Sequence, residues 1–226
     1  MMDDEIRVVI ATFKNKISWK EIPYFRGCMI QESGNNCLFH NHQEEGFRYV
    51  YPLVQYKIMD GNPVMVGLNE GAVAIEKLLE DRYIIPCQLG NRQTDLYFVG
   101  IRSQRMAVQC HPELLTYSIK GWLPLNRENY KAYLSAESLV EQVQMLERIL
   151  TGNILSFAKG IGVFFEHPVS CRIRQIQQEK LVNYKHVGLM SFSGVFQSNV
   201  TLPDYIGLGK SVSIGQGIIK RMKDEE

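Results

Sequence analysis

Between residues 49 and 80 the chain spells out three elements in a row. An aromatic and β-branched run, Tyr49–Ile58, meets the turn residues Asp60-Gly61-Asn62 and returns as a second apolar run, Pro63–Gly67. Two such runs around an Asp-Gly turn predict a β-hairpin. Asn69 then precedes Glu70–Glu80, where Val73 and Leu78 recur at helical spacing and Asn supplies an N-cap. Upstream, Arg7–Thr12 is a branched apolar strand and Tyr24–Gln31 reads as a helix; downstream, Leu96–Ile101 closes the set as a strand. The order is strand, helix, strand, strand, helix, strand. That βαββαβ order predicts an α+β, ferredoxin-like domain.

A break near Gln109–Glu113, marked by Pro112, divides the chain into expected domains at 1–110 and 111–226. The second half opens with a strand, Tyr117–Pro124, followed by the longest helical pattern, Ala136–Ala158. Ser135 or Ser138 caps this helix, and Leu139, Val143, Leu146, Ile149 and Leu150 form its apolar stripe. Strand-like runs follow at Ile161–Phe165, Arg172–Ile176, Leu189–Phe196 and Val212–Ile219. A second helix of a ferredoxin-like unit is not evident in this half.

Composition narrows the function classes. With 45% hydrophobic and 22% charged residues the chain reads as an ordinary globular protein. It has no apolar run long enough to span a bilayer, and its acidic N-terminus lacks a signal-peptide pattern, so a cytoplasmic protein without a membrane partner is expected. Five scattered cysteines without a C-x-x-C pair predict neither a disulfide framework nor a zinc ribbon. Net charge is only +1, but residues 170–223 hold eight lysines and arginines against two acids. Such asymmetry fits an RNA-binding surface, and equally a solvated charged face.

Two motifs carry candidate chemistry. Gly207, Gly209, Gly215 and Gly217 surround Lys210-Ser211, a spacing that suits a loop folded round a phosphate but not a P-loop or a dinucleotide site. A glycine-rich hairpin is the alternative. The second motif is His40-Asn41-His42, in a stretch that follows the loop-like Ser33–Asn36. If the backbone there is extended, both imidazoles face one side. Two rings titrating near neutral pH can then divide general base and general acid work, as cleavage of an RNA phosphodiester requires. The same pair suits half a zinc site, with Glu44 and Glu45 nearby, or a plain polar loop. Tyr49 and Lys57 follow closely and are candidates to serve the phosphate.

Several segments together resemble a known family. Tyr51–Gly61, Gly67–Gly71, Trp122–Tyr130 and the Gly207–Gly217 loop, with the H-x-H pair, are similar to the CRISPR-associated endoribonucleases of the sixth Cas family, b-type subgroup. The resemblance runs from about Arg7 to Lys220. It implies two tandem ferredoxin-like, RRM-like domains and a metal-independent endoribonuclease that cuts the repeats of precursor CRISPR RNA, leaving a 2′,3′-cyclic phosphate and a 5′-hydroxyl. By position it makes His40 and His42 the catalytic pair, with Tyr49 a weaker carry-over, and places Gly207, Gly209, Lys210, Ser211, Gly215 and Gly217 against RNA. No metal and no cofactor are implied. Implied partners are the repeat RNA, with an interference complex and a second copy of the chain as further candidates. Base stacking on the sheet is not expected, because no strand carries an RNP-like aromatic pair. The competing readings are a non-catalytic RNA-binding subunit of the same superfamily, which would not need the H-x-H pair, and a metal-dependent hydrolase that uses the pair as ligands.

Overall fold

A computed structural model describes residues 5–40, 42–43, 46–47, 51–184 and 187–222. Its first half holds β1 (Glu5–Phe13), α1 (Ile22–Glu32), a short α2 (Cys37–His40), the two-residue strands β2 (His42–Gln43) and β3 (Gly46–Phe47), β4 (Val54–Met59), β5 (Asn62–Leu68), α3 (Glu70–Leu79), β6 (Ile84–Leu89) and β7 (Arg92–Ala107). The second half holds β8 (Cys110–Trp122), α4 (Arg127–Leu134), α5 (Leu139–Gly160), β9 (Cys171–Tyr184), β10 (Val187–Val200) and β11 (Ile218–Arg221). They form two units, the first comprising residues through Ala107 with Ser213–Gly215, the second Val108–Val212 with residues from Gln216 onward.

In the first unit the sheet order is β4-β5-β1-β7-β6, with every neighbouring pair antiparallel. Set against βαββαβ, strands β4, β5, β1 and β7 take the positions second, third, first and fourth, the ferredoxin-like order. The β4–β5 hairpin closes on Met59↔Asn62, so Asp60 and Gly61, at φ 51° and 82°, form a two-residue turn with both residues left-handed. Helices α1 and α3 pack on one face. There Phe13 meets Phe25 edge-on at 5.4 Å, and Phe25 meets Tyr56 at 5.6 Å. Burying each such ring contributes roughly 1.5–3 kcal/mol.

Asn69 does precede α3, but it does not cap with its side chain. At φ 47° its carboxamide oxygen accepts the Arg7 amide at 3.0 Å, tying the helix entry to β1. Strand β6 was not expected. It pairs with β7 through the two-residue turn Gly90-Asn91, and its residues alternate exposed and buried.

In the second unit the order is β11-β8-β10-β9, again antiparallel and again fourth, first, third, second. The first crossover carries two helices where one long pattern was expected. Asn126 caps α4 through the Asn129 amide at 2.7 Å, Ser135 ends it by donating to Lys131 O, and Ser138 starts α5 by accepting the Glu141 amide. The second crossover, from Thr201 to Gly217, holds the glycine-rich segment and a single 3₁₀ turn, Val212–Ile214, in place of a helix.

Two expected strands are corrected. Ile161–Phe165 follows α5 and is not a strand: Gly162 sits at φ 79° while the Val163 amide reaches back to Ala158 O at 2.9 Å, so the run begins as the helix's C-terminal cap. Val212–Ile219 forms strand only from Ile218, because Gly215 and Gly217, at φ 86° and 64°, break the extended path.

Candidate active site

The H-x-H pair follows directly from the way α1 ends. Gly34 and Asn35 are left-handed at φ 66° and 59°, and the Asn35 amide returns to Ile30 O at 3.0 Å. Asn36 then caps the next helix, its Oδ1 accepting the Leu38 amide at 3.0 Å. His40 is the last residue of that four-residue α2, and His42 the first of β2, which pairs with β3 through His42↔Phe47. The condition of an extended backbone through His40 is therefore not met. A helix end separates the two residues from a common strand, and strand alternation does not set their relative direction. Tyr49 and the side chain of His42 lie outside the described residues.

His40 is half-buried, and its Nε2 bonds to Asn35 O at 3.0 Å. A carbonyl only accepts, so in this contact Nε2 is the donor. The backbone beside it is held as well. Arg26 Nη2 donates to His40 O at 2.7 Å, and the Tyr56 hydroxyl donates to Phe39 O at 3.2 Å. Burial pushes the Tyr56 phenol above its usual range, so it stays a neutral donor. Sequence reading missed Arg26 and Tyr56. Each lies more than ten residues from its acceptor, and no local spacing announces such a contact.

Lys57 is not placed as an ordinary phosphate-binding lysine. It is fully buried, its Nζ has no hydrogen-bond partner among the described residues, and burial pulls its pKa down to about 7. The unfolded side chain titrates near 10.5, so between these values the unfolded chain binds more protons and stability rises with pH. Below about 7 the penalty is complete, up to about 5 kcal/mol, and above 10.5 it is gone. Lys57→Met is accordingly expected to raise the melting temperature at pH 6 and to lose most of that advantage at pH 10. A gain independent of pH would contradict this account.

In the second unit, the glycine-rich loop is packed tightly on itself and on β8. Gly207 and Gly217 are buried; Gly209, at φ 90°, is so placed that a Cβ would come 2.8 Å from the Trp122 indole. The Gly217 amide donates to Gly121 O at 3.0 Å. Lys210 donates through Nζ to Leu125 O at 3.0 Å, where partial desolvation lowers its pKa, and Ser211 is left-handed at φ 58°. Gly215 belongs to the first unit, where a Cβ would come 2.8 Å from the Trp19 ring. Packing alone thus calls for glycine at 209 and 215, whether or not RNA is bound. Within the loop Lys210 is exposed, and Gly209, Ser211, Ser213, Ile214 and Gln216 are half-buried.

All five cysteines are free thiols. Among the described residues no group of three or more His, Cys, Asp or Glu side chains could hold a metal ion, and no helix is long and apolar enough to cross a membrane.

Two units with ferredoxin strand order, the second with a glycine-rich crossover, define a tandem ferredoxin-like protein. Both halves match one family: residues 4–107 match the Cas6b N-terminal domain and residues 109–222 the Cas6b C-terminal domain. The chain belongs to the Cas6b family. It is 32% identical over 106 residues to an uncharacterized protein of Methanocaldococcus jannaschii, covering 47% of this chain and 71% of that one. Its fold is similar to a crystal structure of Cas6b at TM-score 0.84 and 24% identity, covering 96% of this chain and 100% of the other. A second crystal structure, of a CRISPR RNA processing endoribonuclease Cas6b, matches at TM-score 0.74 and 21% identity, again over 96% and 100%.

Proposed function

We propose that this chain is an endoribonuclease that cleaves the repeats of precursor CRISPR RNA without a metal ion. His40 and His42 divide the proton transfers. One imidazole removes the proton of a ribose 2′-OH as that oxygen attacks the adjacent phosphorus. The other protonates the departing 5′ oxygen, so the products are a 2′,3′-cyclic phosphate and a 5′-hydroxyl. The observation that carries this reading is His40, fixed at the end of α2 with His42 opening β2 two residues on, in a chain whose halves both match Cas6b. Tyr49 is an assisting residue in this scheme.

Repeat RNA is held by Gly209, Lys210 and Ser211 in the accessible part of the glycine-rich loop, while Gly207, Gly215 and Gly217 shape it. The basic residues of the C-terminal segment neutralise phosphate. The test is incubation of a repeat RNA with the protein in excess EDTA. Cleavage at an undiminished rate is expected, and activity that only Mg²⁺ or Mn²⁺ restores would replace this mechanism with metal-assisted hydrolysis.

A further inference from the structure

A four-residue helix cannot hold itself in water, since nucleation costs more than one turn of hydrogen bonds returns. The carbonyls at its C-terminal end have no intrahelical partner. In α2 two of these carbonyls are taken by side chains from elements on either side of the core. Arg26 of α1 donates to His40 O at 2.7 Å and Tyr56 of β4 donates to Phe39 O at 3.2 Å. The first is charge-assisted and places a cation at the negative end of the helix. Phe25, next to Arg26, meets the Tyr56 ring edge-on at 5.6 Å, so the two donors are braced on one aromatic contact. The buried Arg26 Nε has no hydrogen-bond partner among the described residues, which leaves the bond to His40 as the contact shown for this guanidinium.

We propose that Arg26, with Tyr56 in support, is a positioning residue for cleavage: it fixes the backbone of His40 so that the imidazole, itself tied to Asn35 O, is held in its working place. This rests on the assignment of His40 to the chemistry. A misplacement of about 1 Å in a reacting group can cost on the order of 10²-fold in rate. Arg26 acts through His40, so its loss lowers the rate of the chemical step and leaves RNA affinity alone. Lysine at 26 keeps the charge and a donor and rescues in part; methionine keeps the bulk and removes both.

The experiment measures single-turnover cleavage at saturating protein, RNA affinity with a 2′-deoxy repeat RNA, and the melting temperature, for Arg26→Met, Arg26→Gln, Arg26→Lys, Tyr56→Phe, His40→Ala and Arg26→Met combined with His40→Ala. At a temperature well below every melting point, Arg26→Met is expected to cleave about 10- to 100-fold more slowly with affinity within about twofold. Arg26→Lys should recover most of the rate. In the His40→Ala background Arg26→Met should cost nothing further. A wild-type rate in Arg26→Met overturns the proposal, as does an equal loss in the His40→Ala background, or weakened affinity with a shallower salt dependence, which would put Arg26 on the RNA. If Arg26→Met does not fold, Tyr56→Phe and Arg26→Gln decide: a wild-type rate in both overturns the proposal, and a slowed step at unchanged affinity supports it. A wild-type rate in His40→Ala alone overturns the assignment of His40 instead.

Discussion

His40→Ala and His42→Ala are each expected to slow cleavage of repeat RNA by about 10²- to 10⁴-fold, with affinity for the RNA within a few-fold of wild type. The size follows from the role. A positioned acid or base lowers the barrier only while a proton is in flight, and it adds little to binding that is equally strong before and during the step. For His40 the structure shows the ring held through Nε2 by Asn35 O and its carbonyl held by Arg26, so the group removed by His40→Ala is one held in a defined place. If one ring serves both transfers in the other's absence, the single changes will be mild and only the double change severe. A double variant that cleaves at the wild-type rate removes the pair from the active site.

A repeat RNA with a single 2′-deoxy nucleotide just upstream of the cut should bind nearly as well as the natural RNA and should not be cleaved. The 2′ oxygen is the proposed nucleophile, so its loss deletes a reactant, whereas the phosphates that dominate affinity stay in place. The modified RNA then acts as a competitive inhibitor with about the affinity of the natural one. Normal cleavage of the deoxy RNA would mean that water attacks the phosphorus, and the two imidazoles would need other roles.

The elements that were legible in the sequence are those fixed by neighbours along the chain. The β4–β5 hairpin follows from Asp60-Gly61, one of the few pairs that take two left-handed positions at little cost, and α5 follows from its apolar stripe. β6 had a usable signal, alternation up to Gly90-Asn91, and α4 had Asn126 ahead of an early acid, Glu128. The apparent strand at Ile161–Phe165 shows the limit of pattern: a branched apolar run looks the same whether it extends or wraps a helix end, and Gly162 decides for the latter. The candidate site was legible as residue types and not as geometry. His40-Asn41-His42 is visible as a pair, but whether it lies in a strand depends on Asn35, Asn36, Arg26 and Tyr56, two of which reach it only through the tertiary fold. The glycines were read as a phosphate cradle, and at 209 and 215 the packing against Trp122 and Trp19 already demands them.

The most direct measurement of the central claim is the chemical identity of the new ends after cleavage in EDTA, read by mass spectrometry of the two fragments. Attack by the 2′-OH with proton transfer by His40 and His42 predicts an upstream fragment ending in a 2′,3′-cyclic phosphate and a downstream fragment beginning with a 5′-hydroxyl. An upstream 3′-hydroxyl with a downstream 5′-phosphate would contradict it, because those ends arise when water attacks and the 3′ oxygen leaves.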